Sequence, residues 1–132
     1  MGAALSLEEA EILRERAEAF LKNAERPVME GVYDLAAFNI EQHYQLMLKY
    51  KLLIKTGTYP RTRSVIRLLR ELSKIAEELK ELLSNREAMI YLTKIEDTYI
   101  GARYLPRRYE EVEVEEMLRF TREVFKPAID KI

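Results

Sequence analysis

Apolar residues recur at three- and four-residue intervals through nearly the whole chain, and no segment sustains a strict apolar–polar alternation. Ala10, Leu13, Ala17, Phe20 and Ala24 form the first such stripe. It follows Ser6 and Glu9, a capping-box spacing that predicts a helix opening at Ser6. Pro27 and Gly31 punctuate it. A second, longer helix is predicted from about Gly31–Asp34 to Thr56, with Gly57 as its C-cap. One of its stripes carries Ala36, Ile40, His43, Met47, Tyr50 and Ile54, while Phe38, Leu48 and Leu52 fall on roughly the opposite side. A helix apolar on two sides is either shared with a partner chain or central to its own bundle. The first reading predicts a homodimer with Phe38, Leu48 and Leu52 at its interface.

Gly57-Thr58-Tyr59-Pro60 reads as a turn. A third helix is predicted from about Thr62, with Val65, Leu68, Leu69, Leu72, Ile75, Ala76, Leu79 and Leu82 on one face. Ser84 with Glu87 can cap a fourth, which carries Met89, Leu92, Ile95, Tyr99 and Ala102 and ends at Pro106. The last helix starts near Val112 and shows Val114, Met117, Leu118, Thr121, Phe125 and Ala128, with Pro127 bending or fraying its end. No internal repeat or linker interrupts the series. The expected fold is all-α: a single domain over residues 1–132, an up-and-down bundle of four to five helices with a long second helix.

Composition narrows the classes. With 132 residues, 48% hydrophobic and 34% charged, the chain suits one core in one domain. It has no cysteine, so disulfides, thiolate zinc sites and thiol nucleophiles are excluded. No apolar run is long enough to span a bilayer, and Met1–Ala4 has no signal-peptide pattern, so a cytoplasmic protein without membrane attachment is expected. Few Asn and Gln beside many Glu, Lys and Arg tilt the composition towards a thermophilic source. The net charge of -1 hides an asymmetry: Gln42 to Arg70 holds no acidic residue but carries Lys49, Lys51, Lys55, Arg61, Arg63, Arg67 and Arg70. Acids gather instead near the start and after Tyr109. Such a segment attracts phosphate locally, although lysines and arginines on helices also serve simply as a solvated face.

The densest candidate chemistry is Arg103-Tyr104-Leu105-Pro106-Arg107-Arg108-Tyr109, at the corner between two predicted helices. Arginine forks grip phosphate bidentately, and aromatic rings stack on bases. Arg103 competes with a helix-end salt bridge to Glu110 or Glu113, Arg107 and Arg108 with a solvated loop, and Tyr104 and Tyr109 with simple packing. The only histidine, His43, lies far back in the sequence on an apolar stripe, where a hydrogen-bonded core role is the usual one. Acid–base cleavage of RNA needs a group titrating near neutrality; tyrosine, near 10, is a poor base, and arginine does not deprotonate. Arg103, Tyr109 and His43 are therefore the sole candidates for chemistry, and binding is favoured over cutting. P-loop, dinucleotide, nucleophile-elbow and metalloprotease motifs are absent. Asp34 and Glu41 without further ligands do not make a metal site, and no cofactor is expected.

Three segments in order resemble a known family. Tyr33-Asp34-Leu35-Ala36-Ala37-Phe38-Asn39-Ile40-Glu41-Gln42-His43 resembles the start of the long second helix of HEPN domains, the higher-eukaryote and prokaryote nucleotide-binding domains. Tyr59-Pro60-Arg61-Thr62-Arg63-Ser64 with Leu68-Leu69 resembles their next helix start, and Ala102-Arg103-Tyr104-Leu105-Pro106 with Tyr109 their late signature. The resemblance implies a helical bundle that usually dimerises, and in many relatives a minimal nucleotidyltransferase partner in a toxin–antitoxin pair. Ribonuclease members carry an arginine followed after four to six residues by a histidine. Here Arg103 matches the arginine, but Tyr109 stands after five intervening residues, and Arg63 replaces a histidine at the helix start. The resemblance therefore implies nucleotide or RNA binding through Arg103, Tyr104, Arg107, Arg108, Tyr109, Arg61 and Arg63, with little or no catalysis. It also offers Tyr109 or Tyr104 as acceptor of a nucleotide from the partner. The alternatives are a divergent metal-independent ribonuclease and a protein-interaction module.

Overall fold

Two long antiparallel helices form the spine of the molecule, α1 over Ala3–Met29 and α2 over Tyr33–Thr56. The structure, a computed structural model, describes residues 3–101 and 108–132. Ala10, Ala17 and Ala24, seven residues apart on α1, are at most 1% exposed, and Ala36 and Ala37 of α2 are fully buried. Small side chains at this repeat let the two backbones approach closely. Two α2 side chains then reach carbonyls of α1: Asn39 Nδ2 donates to Asn23 O at 3.1 Å, and His43 Nδ1 lies 2.7 Å from Ala17 O. Pro27 lies inside α1, which begins at Ala3 rather than Ser6 and runs on to Met29. Gly31 then turns the chain at φ 77°.

Four further helices complete the described fold before its final turns: α3 (Val65–Ser73), α4 (Leu79–Ser84), α5 (Arg86–Gly101) and α6 (Glu111–Phe120). The long third helix expected from the pattern is in fact α3 and α4. Ser73 Oγ donates to the Arg70 carbonyl at 2.7 Å, and the next amides bond three residues back, so the helix breaks and Ile75 stays 52% exposed. Asn85, not Ser84, caps α5, its Oδ1 accepting from the Ala88 N–H at 2.9 Å. Glu110 and Glu113 form the capping box that opens α6. After Phe120 the chain widens into a π turn, Thr121–Phe125, where the Lys126 N–H bonds to the Thr121 carbonyl, before α7 (Lys126–Asp130). Pro127 supplies a cause, since its ring clashes with the carbonyl four residues back in a regular helix.

The molecule is all-α among its described residues, and α2 is its centre, packed on α1, α3, α5 and α6. Leu48 and Leu52, expected at a dimer interface, are 0% and 3% exposed inside the single chain. The two-sided apolar pattern of α2 thus reflects a helix surrounded by its own bundle. Phe38 is half-buried. Tyr44 stacks on Phe125 with ring centroids 3.9 Å apart, and its hydroxyl lies 2.7 Å from Thr121 Oγ1. Thr121 spends its proton on the Met117 carbonyl, so Tyr44 is the donor. Among the described residues no helix is long and apolar enough to cross a membrane.

Burial of His43 has a measurable consequence. A carbonyl only accepts, so Nδ1 carries the proton towards Ala17, and burial holds the imidazole below its ordinary pKa despite that bond. The folded chain therefore resists protonation that the unfolded chain accepts at about 6.5, so this contribution to stability is complete above that pH and is lost as pH falls through the window beneath it. Buried Glu41, pushed above the usual carboxylate range by burial, acts in the opposite sense. The comparison that isolates His43 is His43→Asn, whose amide can still reach the Ala17 carbonyl. Urea midpoints of the native chain should fall more steeply than the variant's as pH drops below about 6.5; parallel curves would refute the contribution of His43.

Candidate functional site

The α2–α3 connection is held rigidly against α5, and this places the predicted cations. Gly57 closes α2 at φ 85°, its N–H bonding to Leu53 O at 2.9 Å. Ser64 caps α3 by accepting from the Arg67 N–H at 3.0 Å, and its hydroxyl donates to Glu96 Oε1 of α5. The same carboxylate oxygen accepts from the Ile66 N–H at 3.2 Å. Gln45 of α2 donates from Nε2 to the Arg63 carbonyl. Between these anchors the Arg63 guanidinium lies 4.4 Å from the centre of the Tyr99 ring, in the last turns of α5. Lys49 Nζ stands 5.6 Å from the centre of the Tyr59 ring. Both distances are within the range of cation–π attraction.

Beneath these cations is a buried polar floor. Glu41 is 0% exposed and accepts from Gln42 Nε2 at 2.8 Å and Gln45 Nε2 at 3.0 Å. Burial raises its pKa, against the pull of those amides and of the positive charges on Arg63 and Lys49. Lys49, half-buried, is lowered by burial and then by repulsion from Arg63. Gln45 spends both donors on Glu41 and Arg63, and its Oε1 is buried with no partner. The result is a cationic edge with a carboxylate behind it that moderates but does not cancel its charge.

Arg61 and Arg63 are exposed, and so is Arg108. Tyr109 is 4% exposed and belongs to the core, so its ring is not a surface platform; its N–H donates to Asp34 Oδ1 at 2.7 Å, which ties the chain after the corner to the first turn of α2. Arg103, Tyr104 and Arg107 lie outside the described residues. His43 does not join the cationic edge. At about 100° per residue it points some 160° around α2 from Gln45, and its ring faces α1 and Phe125. The pairing of His43 with Arg103 lies outside the described residues. Tyr99, Glu96 and the Glu41–Gln45 pair were not singled out in the sequence. The last carried a legible signal, two polar residues four apart and so on one face of α2. Among the described residues no group of acids and histidine is placed to hold a metal ion.

A family model described as the HEPN domain matches residues 10–132. The chain belongs to the HEPN domain family. Its fold is also similar to the crystal structure of TT1696 from Thermus thermophilus, with a TM-score of 0.73 at 22% identity, covering 93% of this chain and 98% of that one. At that identity the likeness speaks for the fold alone. No curated protein matches the sequence. In this HEPN chain the resemblance read at Tyr33–His43 falls on the start of α2 and that at Tyr59–Ser64 on the α2–α3 connection, while most of the late corner lies outside the described residues.

Proposed function

We propose that this HEPN protein binds nucleotide or RNA phosphates along the edge formed by Lys49, Arg61 and Arg63, extended by the arginines that follow α5. It acts beside a minimal nucleotidyltransferase as one half of a toxin–antitoxin-type pair and is inactive or weak as a nuclease. The observation that carries this reading is the anchored Arg63, whose guanidinium is braced on Tyr99 two residues before α5 ends, with Arg103 two residues beyond that end. A braced cation loses less side-chain entropy on meeting a phosphate than a free one. Burial of the sole histidine, on the far side of α2, supports binding over metal-independent cleavage. Homodimerisation belongs to the same proposal, through exposed surface and not through Leu48 and Leu52.

Fluorescence polarisation with a labelled single-stranded RNA, and with labelled ATP, tests it. Affinity should fall as salt rises, and Arg63→Ala or Arg103→Ala should each reduce the slope of log K against log salt by about 1. Affinity indifferent to salt and to both changes would refute phosphate recognition at this edge. Incubation with RNA in EDTA should leave the RNA intact at high protein concentration, and a His43-dependent cut would reverse the nuclease assignment.

A further inference from the structure

A groove of about 390 Å³ runs between α4, the first turns of α5 and the final helical turns. Its floor is apolar, with Leu82, Ala88, Phe120 and Val124, and Tyr91 stacks on Phe120 with centroids 4.9 Å apart. Glu78, Glu81 and Glu87 line it as well; all three are exposed, and none forms an ion pair among the described residues. Neighbouring acids that do not line the groove behave differently, since Glu71 pairs with Lys74 and Glu77 with Lys80. Of the two cations in the lining, Arg119 is already held by Glu116 and Glu123, which leaves Lys131. Three uncommitted carboxylates thus stand over an apolar floor against one uncommitted ammonium.

We infer that this groove receives the apolar face of a basic amphipathic helix from a partner protein. Its volume matches a cleft for a short row of side chains. Aliphatic or aromatic anchors spaced one helical turn apart would fill the floor, while lysines or arginines beside them would meet Glu78, Glu81 and Glu87. The same carboxylates repel a polynucleotide, so the groove and the phosphate-binding edge take different ligands. The two are also apart in space: Ala88 and Glu96 are eight residues apart on α5, about 12 Å at the helical rise.

Two fluorescent peptides with one apolar face in common, one with a lysine- and arginine-rich polar face and one with a glutamate-rich face, separate the outcomes by anisotropy against the full chain. The basic peptide should bind at least about tenfold more tightly and weaken as salt rises towards about 0.5 M. The triple change Glu78→Gln, Glu81→Gln, Glu87→Gln should cost about tenfold in affinity with the helical circular dichroism unchanged. Val124→Glu, at a position 38% exposed and so tolerant of folding, should weaken both peptides. Equal affinity for the two peptides, or a triple variant that binds as the parent does, would overturn the inference. So would peptide-independent uptake of a small fluorescent hydrophobe that ignores the glutamates, or a doubling of mass lost on Val124→Glu, which would assign the groove to a second copy of this chain.

Discussion

Leu48→Glu should unfold this protein rather than dissociate an assembly. Leu48 is fully buried on the central helix, in one core cluster with Leu52, Leu68 and Leu92. The change removes a leucine's burial and forces a carboxylate into an apolar site or the site open. Core leucine loss alone costs about 2–5 kcal/mol, and an unpaired buried charge adds to it. Total stabilities of domains this size are about 5–15 kcal/mol. Thermal melts followed by circular dichroism should therefore show a collapse of the transition or a chain already unfolded at room temperature. Leu52→Glu, at 3% exposure, should behave alike, whereas Phe38→Glu at a half-buried position should be milder. A well-folded Leu48→Glu chain with half the parental mass by light scattering would show that this face of α2 meets another chain after all.

The second large effect is expected on binding. Reversing both exposed arginines of the α2–α3 connection, Arg61→Glu with Arg63→Glu, should lower RNA affinity by about 100-fold at low salt and flatten the salt slope by about 2. Each reversal removes a phosphate partner and adds a repelling charge, and Glu41 then loses one of its two compensating cations. The loss of the Arg63–Tyr99 contact should cost only about 0.5–1 kcal/mol in stability, so a thermal melt separates misfolding from lost recognition. Unchanged affinity in a folded double variant would move the binding surface elsewhere.

Much of the fold could be read from the sequence because α-helical periodicity is local. The stripes of α1, α2 and α6, the Gly57 C-cap and the all-α class follow from residues within one turn of each other. The break between α3 and α4 does not, because it depends on the Ser73 hydroxyl returning to the Arg70 carbonyl while the apolar spacing runs on unperturbed through Leu72, Ala76 and Leu79. The role of Leu48 and Leu52 was ambiguous for a different reason. A hydrophobic wheel reports that two faces are covered, not whether the cover is the same chain or another one. At the site, the acid-free run drew attention to Arg61 and Arg63, and the structure shows both exposed on the α2–α3 connection. Tyr99 and Glu96 are thirty or more residues away in sequence from the residues they hold, so only tertiary packing reveals them. Tyr109 was open to two readings, a stacking ring amid arginines or simple packing, and the ring packs into the core.

With one imidazole in the whole chain, a proton spectrum of the unlabelled protein carries a single set of histidine ring signals. The imidazole lies nearly perpendicular to the rings of Tyr44 and Phe125, whose ring currents displace its signals from their solution positions, and it is hooked to the backbone of the first helix. Any event that lifts that helix from the spine, or slides the final turns along it, would return the signals towards free imidazole. The molecule thus carries its own spectroscopic reporter of whether α1 and the final helical turns remain seated.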